Sequence, residues 1–168
     1  MKLNVSDRFN VSRATFVFEM FFNDQFNREL HEMLDFKSRE ILKREEDDEQ
    51  IRLRIEYMPR RELPTLAKKI LKGGELGYVE DLIYHKSGWY CDTFIKPMTL
   101  ADRIDCVGVM RFLEDGPSHC LRTYEMNVTV NLPLAGGLIA KQMAKDIEES
   151  YKKTARFVGE YIRRHKLA

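Results

Sequence analysis

The sequence predicts an α+β fold in which about seven antiparallel strands support one very long C-terminal helix. Three observations predict it. From His119 to Val130 the chain alternates: Tyr124, Met126, Val128 and Val130 on one face, Thr123, Glu125, Asn127 and Thr129 on the other, the two-residue period of a half-buried strand. Beyond Pro133 and Gly136-Gly137 the period changes. Ile139, Met143, Ile147, Tyr151, Ala155, Val158 and Ile162 recur every three or four residues, opposite Lys141, Lys145, Glu148, Glu149, Lys152, Lys153 and Arg156, which reads as one amphipathic helix. At a rise of about 1.5 Å per residue a run of roughly thirty residues is about 45 Å long. Third, the middle of the chain is almost purely β, so the helix has a large sheet to lie on.

The elements follow in order. Leu3, Val5, Asp7, Phe9 and Val11 alternate with Lys2, Asn4, Arg8 and Asn10 as a first strand. Ser12 suits a helix N-cap, Val17, Met20 and Phe21 share a helical face, and Asn23-Asp24 restarts the chain into a second short helix marked by Phe26, Leu30, Met33 and Leu34. Phe36–Arg44 and Ile51–Tyr57 form a hairpin around the acidic turn Glu45–Glu49. Leu63–Lys72, between Pro59 and Gly73-Gly74, suits a short helix. Strands at Leu76–His85, Trp89–Lys96 and Arg103–Leu113 follow, punctuated by Lys86-Ser87-Gly88, Pro97 and Asp115-Gly116-Pro117.

A chain of 168 residues is read as a single domain spanning 1–168, long enough to bury about 70% of its unfolded surface. Its net charge of +1, with both signs mixed throughout, argues against a nucleic-acid binder that works by neutralising phosphates. Cys91, Cys106 and Cys120 are odd in number and lack metal-type spacing, so they read as reduced thiols in a cytoplasmic protein, with no metal site. No signal-like N-terminus and no run of eighteen apolar residues is present, which argues against secretion and membrane spanning.

Seven strands about 4.8 Å apart span about 29 Å, whereas a helix with its side chains is about 10–12 Å across. Either the sheet curls tightly and side chains fill the gap, or the early helices and Leu63–Lys72 close off an apolar cavity. Both outcomes are open at this level.

The order strand, two short helices, six strands and long helix resembles the helix-grip fold of the START-like (SRPBCC) superfamily, over essentially the whole chain. Tyr57-Met58-Pro59, the segment ending Gly73-Gly74, Trp89-Tyr90 and above all Val128-Thr129-Val130-Asn131-Leu132-Pro133-Leu134-Ala135-Gly136-Gly137 resemble, more closely, the bacterial domain of unknown function family 2505. The resemblance implies a curved sheet wrapped around the terminal helix and a cavity for a hydrophobic molecule, without a cofactor.

Parity proposes the cavity wall: Arg122, Tyr124, Met126 and Val128 on the last strand; Ile104, Cys106, Gly108, Met110 and Phe112 on the one before; Met143, Ile147, Tyr151 and Ala155 from the helix, with Ala140 and Ala144 leaving room. For the Trp89 strand, parity does not decide between Trp89, Cys91, Thr93 and Ile95 and the alternate set Tyr90, Asp92 and Phe94. The expected ligand-binding set is therefore Trp89, Cys91, Phe94, Cys106, Met110, Phe112, Arg122, Tyr124, Met126, Met143, Ile147 and Tyr151. Arg122 is read either as a head-group ligand or, preferably, as the partner of Glu80, Asp81 or Asp92, because a buried charge needs pairing. Tyr78, Glu80 and Tyr84 either offer polar contacts to a ligand or form the outer face.

Catalytic motifs are absent. His31-Glu32 lacks a second histidine for a helical zinc site, and there is neither a Gly-x-Ser-x-Gly elbow nor a phosphate-cradling loop. The leading expectation is a non-enzymatic protein that binds or transports a lipid-like hydrophobic molecule. The alternatives are a cofactor-free cyclase or dehydratase drawing on Asp92, His85, Tyr124 and Arg122, and peripheral lipid transfer. Transient membrane contact would use Arg60, Arg61, Lys68, Lys69 and Lys72 beside Leu63, Leu66, Ile70 and Leu71.

Overall fold

The computed structural model describes residues 1–60 and 77–168. The Leu63–Lys72 helix, Gly73-Gly74 and all of the basic apolar patch except Arg60 lie outside the described residues. Seven strands, β1 (Lys2–Phe9), β2 (Phe36–Glu46), β3 (Gln50–Pro59), β4 (Tyr78–His85), β5 (Tyr90–Pro97), β6 (Ile104–Glu114) and β7 (Cys120–Val130), make one curved antiparallel sheet in the order β1-β7-β6-β5-β4-β3-β2. Closing β1 onto β7 places the first and last strands side by side, in continuous register from Lys2↔Asn127 to Phe9↔Cys120. The α+β fold is as the patterns predict.

Between β1 and β2, Ser12 caps a single helical turn, α1 (Arg13–Thr15), its hydroxyl accepting from the Thr15 amide at 3.2 Å. The chain runs on as a π-helical stretch, Phe16–Phe21. Asn23 then caps α2 (Asp24–Met33), accepting from Phe26 N–H at 2.9 Å. The terminal helix, α3 (Gly136–His165), is 30 residues long. It starts at Gly136 because a Cβ there would sit 2.4 Å from the Val130 carbonyl oxygen, so only glycine lets the helix begin against β7. No described helix is long and apolar enough to cross a membrane.

The strand near Trp89 begins one residue later than its composition suggests. Trp89 takes a left-handed φ of 54° and closes the turn, so pairing starts at Tyr90.

The space between sheet and helix is filled unevenly. At the end where β7 begins, the early helices drive a plug of rings inward: Phe9 on Phe16 (4.9 Å), Phe21 on Phe112 (5.0 Å) and Phe22 on Tyr84 (5.2 Å). Offset and edge-on contacts of this kind add to the large apolar burial of each ring. The C-terminal half of α3 is pinned to α2 by Phe26 against Tyr161 (4.9 Å) and by Arg164 to Glu29 (2.9 Å). Phe157, Val158, Tyr161 and Ile162 are accordingly buried.

Candidate functional site

The opposite end is built differently. It is framed by the end of β3, the starts of β4 and β6, the ends of β5 and β7 and the N-terminal half of α3. Met143, Ile147 and Tyr151 face the sheet but are only half-buried, as are Tyr78, Glu80 and Ile95 on the sheet side. Their surroundings are nonetheless poor in water, since burial is the largest cause of the raised pKa of Tyr78, Glu80 and Tyr151. Inward-facing side chains that keep accessible surface border a space that their described neighbours leave uncovered. Buried Ala140 and Ala144 keep the helix surface above this region shallow. Two surface hollows lie elsewhere, one beside Arg13 and Glu114, the other at Asn4, Ser6, Thr123 and Glu125.

Polar groups converge here. Tyr57 donates to Glu80 Oε2 at 3.0 Å, and Tyr57 stacks on Tyr78 at 4.9 Å. Burial raises the Glu80 pKa above the usual carboxylate range, although Tyr57 and Arg39 counter it. Burial likewise pushes Tyr78 and Tyr151 up, and the Glu80 charge adds to both. Tyr124 shares a 2.8 Å hydrogen bond with Thr93, and its ring meets Tyr151 at 5.2 Å. That ring lies over Gly108, where a Cβ would come within 2.7 Å of it; glycine on the inner face of β6 makes the room.

Arg122 is 4% exposed, and its partner is Asp7 of β1, at 2.5 Å, rather than Glu80, Asp81 or Asp92. The register puts Asp7 directly across from Arg122. The guanidinium also lies over Tyr151 (4.9 Å) and Phe9 (5.2 Å), so it serves as a structural pair at the boundary between plug and space.

Of the residues expected from sequence, Tyr124, Met126, Cys106, Met143, Ile147 and Tyr151 face the interior around or beside the space. Cys91, Met110 and Phe112 also face inward but sit toward the plugged end, where Phe112 packs against Phe16, Phe21 and Tyr84. Phe94 is a correction. It is 41% exposed on the outer face, because Cys91 and Thr93 take the inner one and successive strand residues alternate. Trp89 is a second correction: its turn carries it to the rim, under the Arg13 guanidinium (4.1 Å) and beside Phe18 (5.8 Å). Asp92 and His85, considered as acid and base, bond each other at 2.8 Å on the outer face, away from the space. Asp7, Tyr57, Tyr78, Glu80, Thr93 and Ile95 are missing from the expected set. For Tyr78 and Glu80 the signal was present, since they share parity with Leu82 and Tyr84.

The three thiols are buried and unpaired. Burial pushes Cys106 and Cys120 up to about 11 and Cys91 further, which makes them poor nucleophiles.

Comparison with known proteins places this architecture. A START superfamily protein from Mycobacterium smegmatis superimposes with a TM-score of 0.59 at 15% identity, covering 97% of each chain. The Zhui aromatase/cyclase of a Streptomyces species gives 0.65 at 9% identity, covering 98% of this chain and 94% of its own. Norcoclaurine synthase from Thalictrum flavum, a point mutant in complex with a transition-state analogue, gives 0.64 at 11% identity, covering 99% and 96%. No curated protein matches the sequence. These likenesses establish the START-like helix-grip fold. The model of the family described as Protein of unknown function (DUF2505) matches residues 4–162, and the chain belongs to that family.

Proposed function

We infer that this protein binds one hydrophobic small molecule between the concave face of the sheet and the N-terminal half of α3. One observation carries the reading: inward-facing Tyr78, Glu80, Met143, Ile147 and Tyr151 retain accessible surface, while the other end of the same interior is packed with rings. Burying about 300 Å² of apolar ligand surface at roughly 25 cal/mol per Å² contributes about 7 kcal/mol before association costs, enough for micromolar binding. Norcoclaurine synthase, which shares the fold, is described with a bound analogue, and this supports a guest in the same architecture. Three buried, unpaired thiols support a reducing compartment such as the cytoplasm. The test is native mass spectrometry of freshly purified protein together with titration by Nile red, a neutral fluorescent dye. One bound mass, or one dye per chain that Ile147→Trp abolishes in a folded protein, is expected. No adduct and no dye binding would refute the reading.

An enzyme of cyclase type is favoured by the 3.0 Å Tyr57–Glu80 pair, two polar groups close enough to act on one guest as acid and base. Ring closure of a poly-β-ketone probe, followed by the absorbance of the aromatic product and lost in Glu80→Gln, tests it. No closure above the buffer rate removes it.

A further inference from the structure

Resting on the binding reading above, the groups that face the space identify the kind of guest. Charge comes first. Asp7 and Arg122 neutralise each other at 2.5 Å. Glu80 on β4 is opposed by Arg39 on β2, whose charge is felt at the carboxyl. His31, which closes the β2 side through ring contacts with Phe36 (5.2 Å) and Tyr57 (5.3 Å), is kept neutral by burial, its pKa lowered to about 4. Each of these inward charges therefore faces an opposite one or is absent. None of these three groups leaves an unbalanced cation to receive a carboxylate or phosphate, and an unpaired anion resists leaving water.

Hydrogen-bonding capacity comes second. Tyr57 is used by Glu80 and Tyr124 by Thr93. The Tyr78 and Tyr151 hydroxyls have no hydrogen-bond partner among the described residues, and both side chains are half-buried against the core. Glu80 likewise keeps one carboxyl oxygen without a partner there, since Tyr57 reaches only Oε2. These groups are open to hydrogen bonds from water or a guest, and a guest that covers them has to pair them, because buried polar atoms are paired almost without exception.

The walls supply the third element. The Tyr57–Tyr78 stack on the sheet and the Tyr124–Tyr151 pair between sheet and helix present ring faces and edges, and Ile95, Met143 and Ile147 supply apolar surface between them. Such walls suit a flat body better than a flexible chain.

We propose that the space takes an electrically neutral, ring-bearing molecule carrying hydroxyl or keto oxygens, held through Tyr78, Glu80 and Tyr151, and that it discriminates against fatty-acid anions. Displacement of Nile red from the full chain by three probes tests this: naphthol, naphthalene and dodecanoate. Naphthol is expected to displace the dye at about three- to tenfold lower concentration than naphthalene, the range one hydrogen bond contributes, and dodecanoate is expected to be the weakest of the three. Tyr78→Phe, Tyr151→Phe and Glu80→Gln should each weaken naphthol severalfold more than they weaken naphthalene, with circular dichroism and the urea midpoint of each variant certifying the fold. Equal displacement by naphthol and naphthalene, or stronger displacement by dodecanoate, overturns the proposal even where Nile red binds. Failure of Nile red itself would instead overturn the binding reading beneath it.

Discussion

Replacing Asp7 with Asn leaves Arg122 as an uncompensated charge in the interior. The guanidinium is 4% exposed and its Nε has no hydrogen-bond partner in the native protein, so Asp7 supplies its one carboxylate. Breaking a buried pair by removing one partner costs about 3–5 kcal/mol. The rings of Tyr151 and Phe9 at 4.9 and 5.2 Å recover part of that, each such contact contributing about 0.5–2 kcal/mol, which puts the expectation near the lower bound, about 3 kcal/mol. For a chain of this size each kcal/mol moves the melting temperature by about 2–4 °C, so Asp7→Asn should melt about 6–12 °C lower. The side chain of Asp7 is 16% exposed against 5% for Arg122, so Asp7 regains water more easily than Arg122 does. Arg122→Met should therefore cost less than Asp7→Asn, and the double variant should lie within about 1 kcal/mol of wild type, since apolar replacement of a buried pair is often neutral. Urea denaturation of the four proteins completes the cycle. A loss below about 1 kcal/mol in Asp7→Asn, or a double variant as unstable as the sum of the singles, would refute the claim that the pair holds a buried charge in place.

Two further perturbations separate the interior from the outer face and from solvent. Phe112→Ala should cost about 3–5 kcal/mol by opening a cavity in the ring plug, whereas Phe94→Ala, on the outer face, should stay within about 0.5 kcal/mol and leave Nile red binding unchanged; urea midpoints and dye titration read both. His31 has a folded pKa lowered to about 4 by burial, below its unfolded value of about 6.5, so the unfolded chain takes up the proton first. Its contribution is fully present above about pH 6.5 and is lost as the pH falls toward 4, by up to about 3 kcal/mol. His31→Phe, which keeps the ring contacts, should flatten the wild-type loss of stability over that window relative to the loss in the parent, and parallel profiles would contradict it.

Much of the architecture was legible in local pattern. Alternation in β6 and β7 named the inner faces correctly, because a strand buried on one side must alternate and a one-residue slip would expose every apolar side chain. The helix cap at Ser12 was legible for the same local reason, an unpaired amide at a helix start needing a nearby side-chain acceptor, and Asn23-Asp24 marked where the next helix begins. Around Trp89 pattern was silent. Both faces of that segment carry apolar residues, and the left-handed turn at Trp89 is set by how β4 connects to β5. The partner of Arg122 was misjudged because Glu80 and Asp92 are closer in sequence, while Asp7 lies 115 residues away and meets it only when β1 joins the far side of β7.

Periodicity, capping residues and the glycines at the strand-to-helix junction are properties of neighbours along the chain, and they settled which elements form and which faces turn inward. Where the interior is full and where it is open depends on which side chains from distant segments arrive together. The rings of residues 16–22 reach one end of the curved sheet, while small alanines on α3 leave the other end to Tyr78, Glu80 and Tyr151. That division is a matter of long-range packing, because a face can be apolar in sequence whether or not anything comes to cover it.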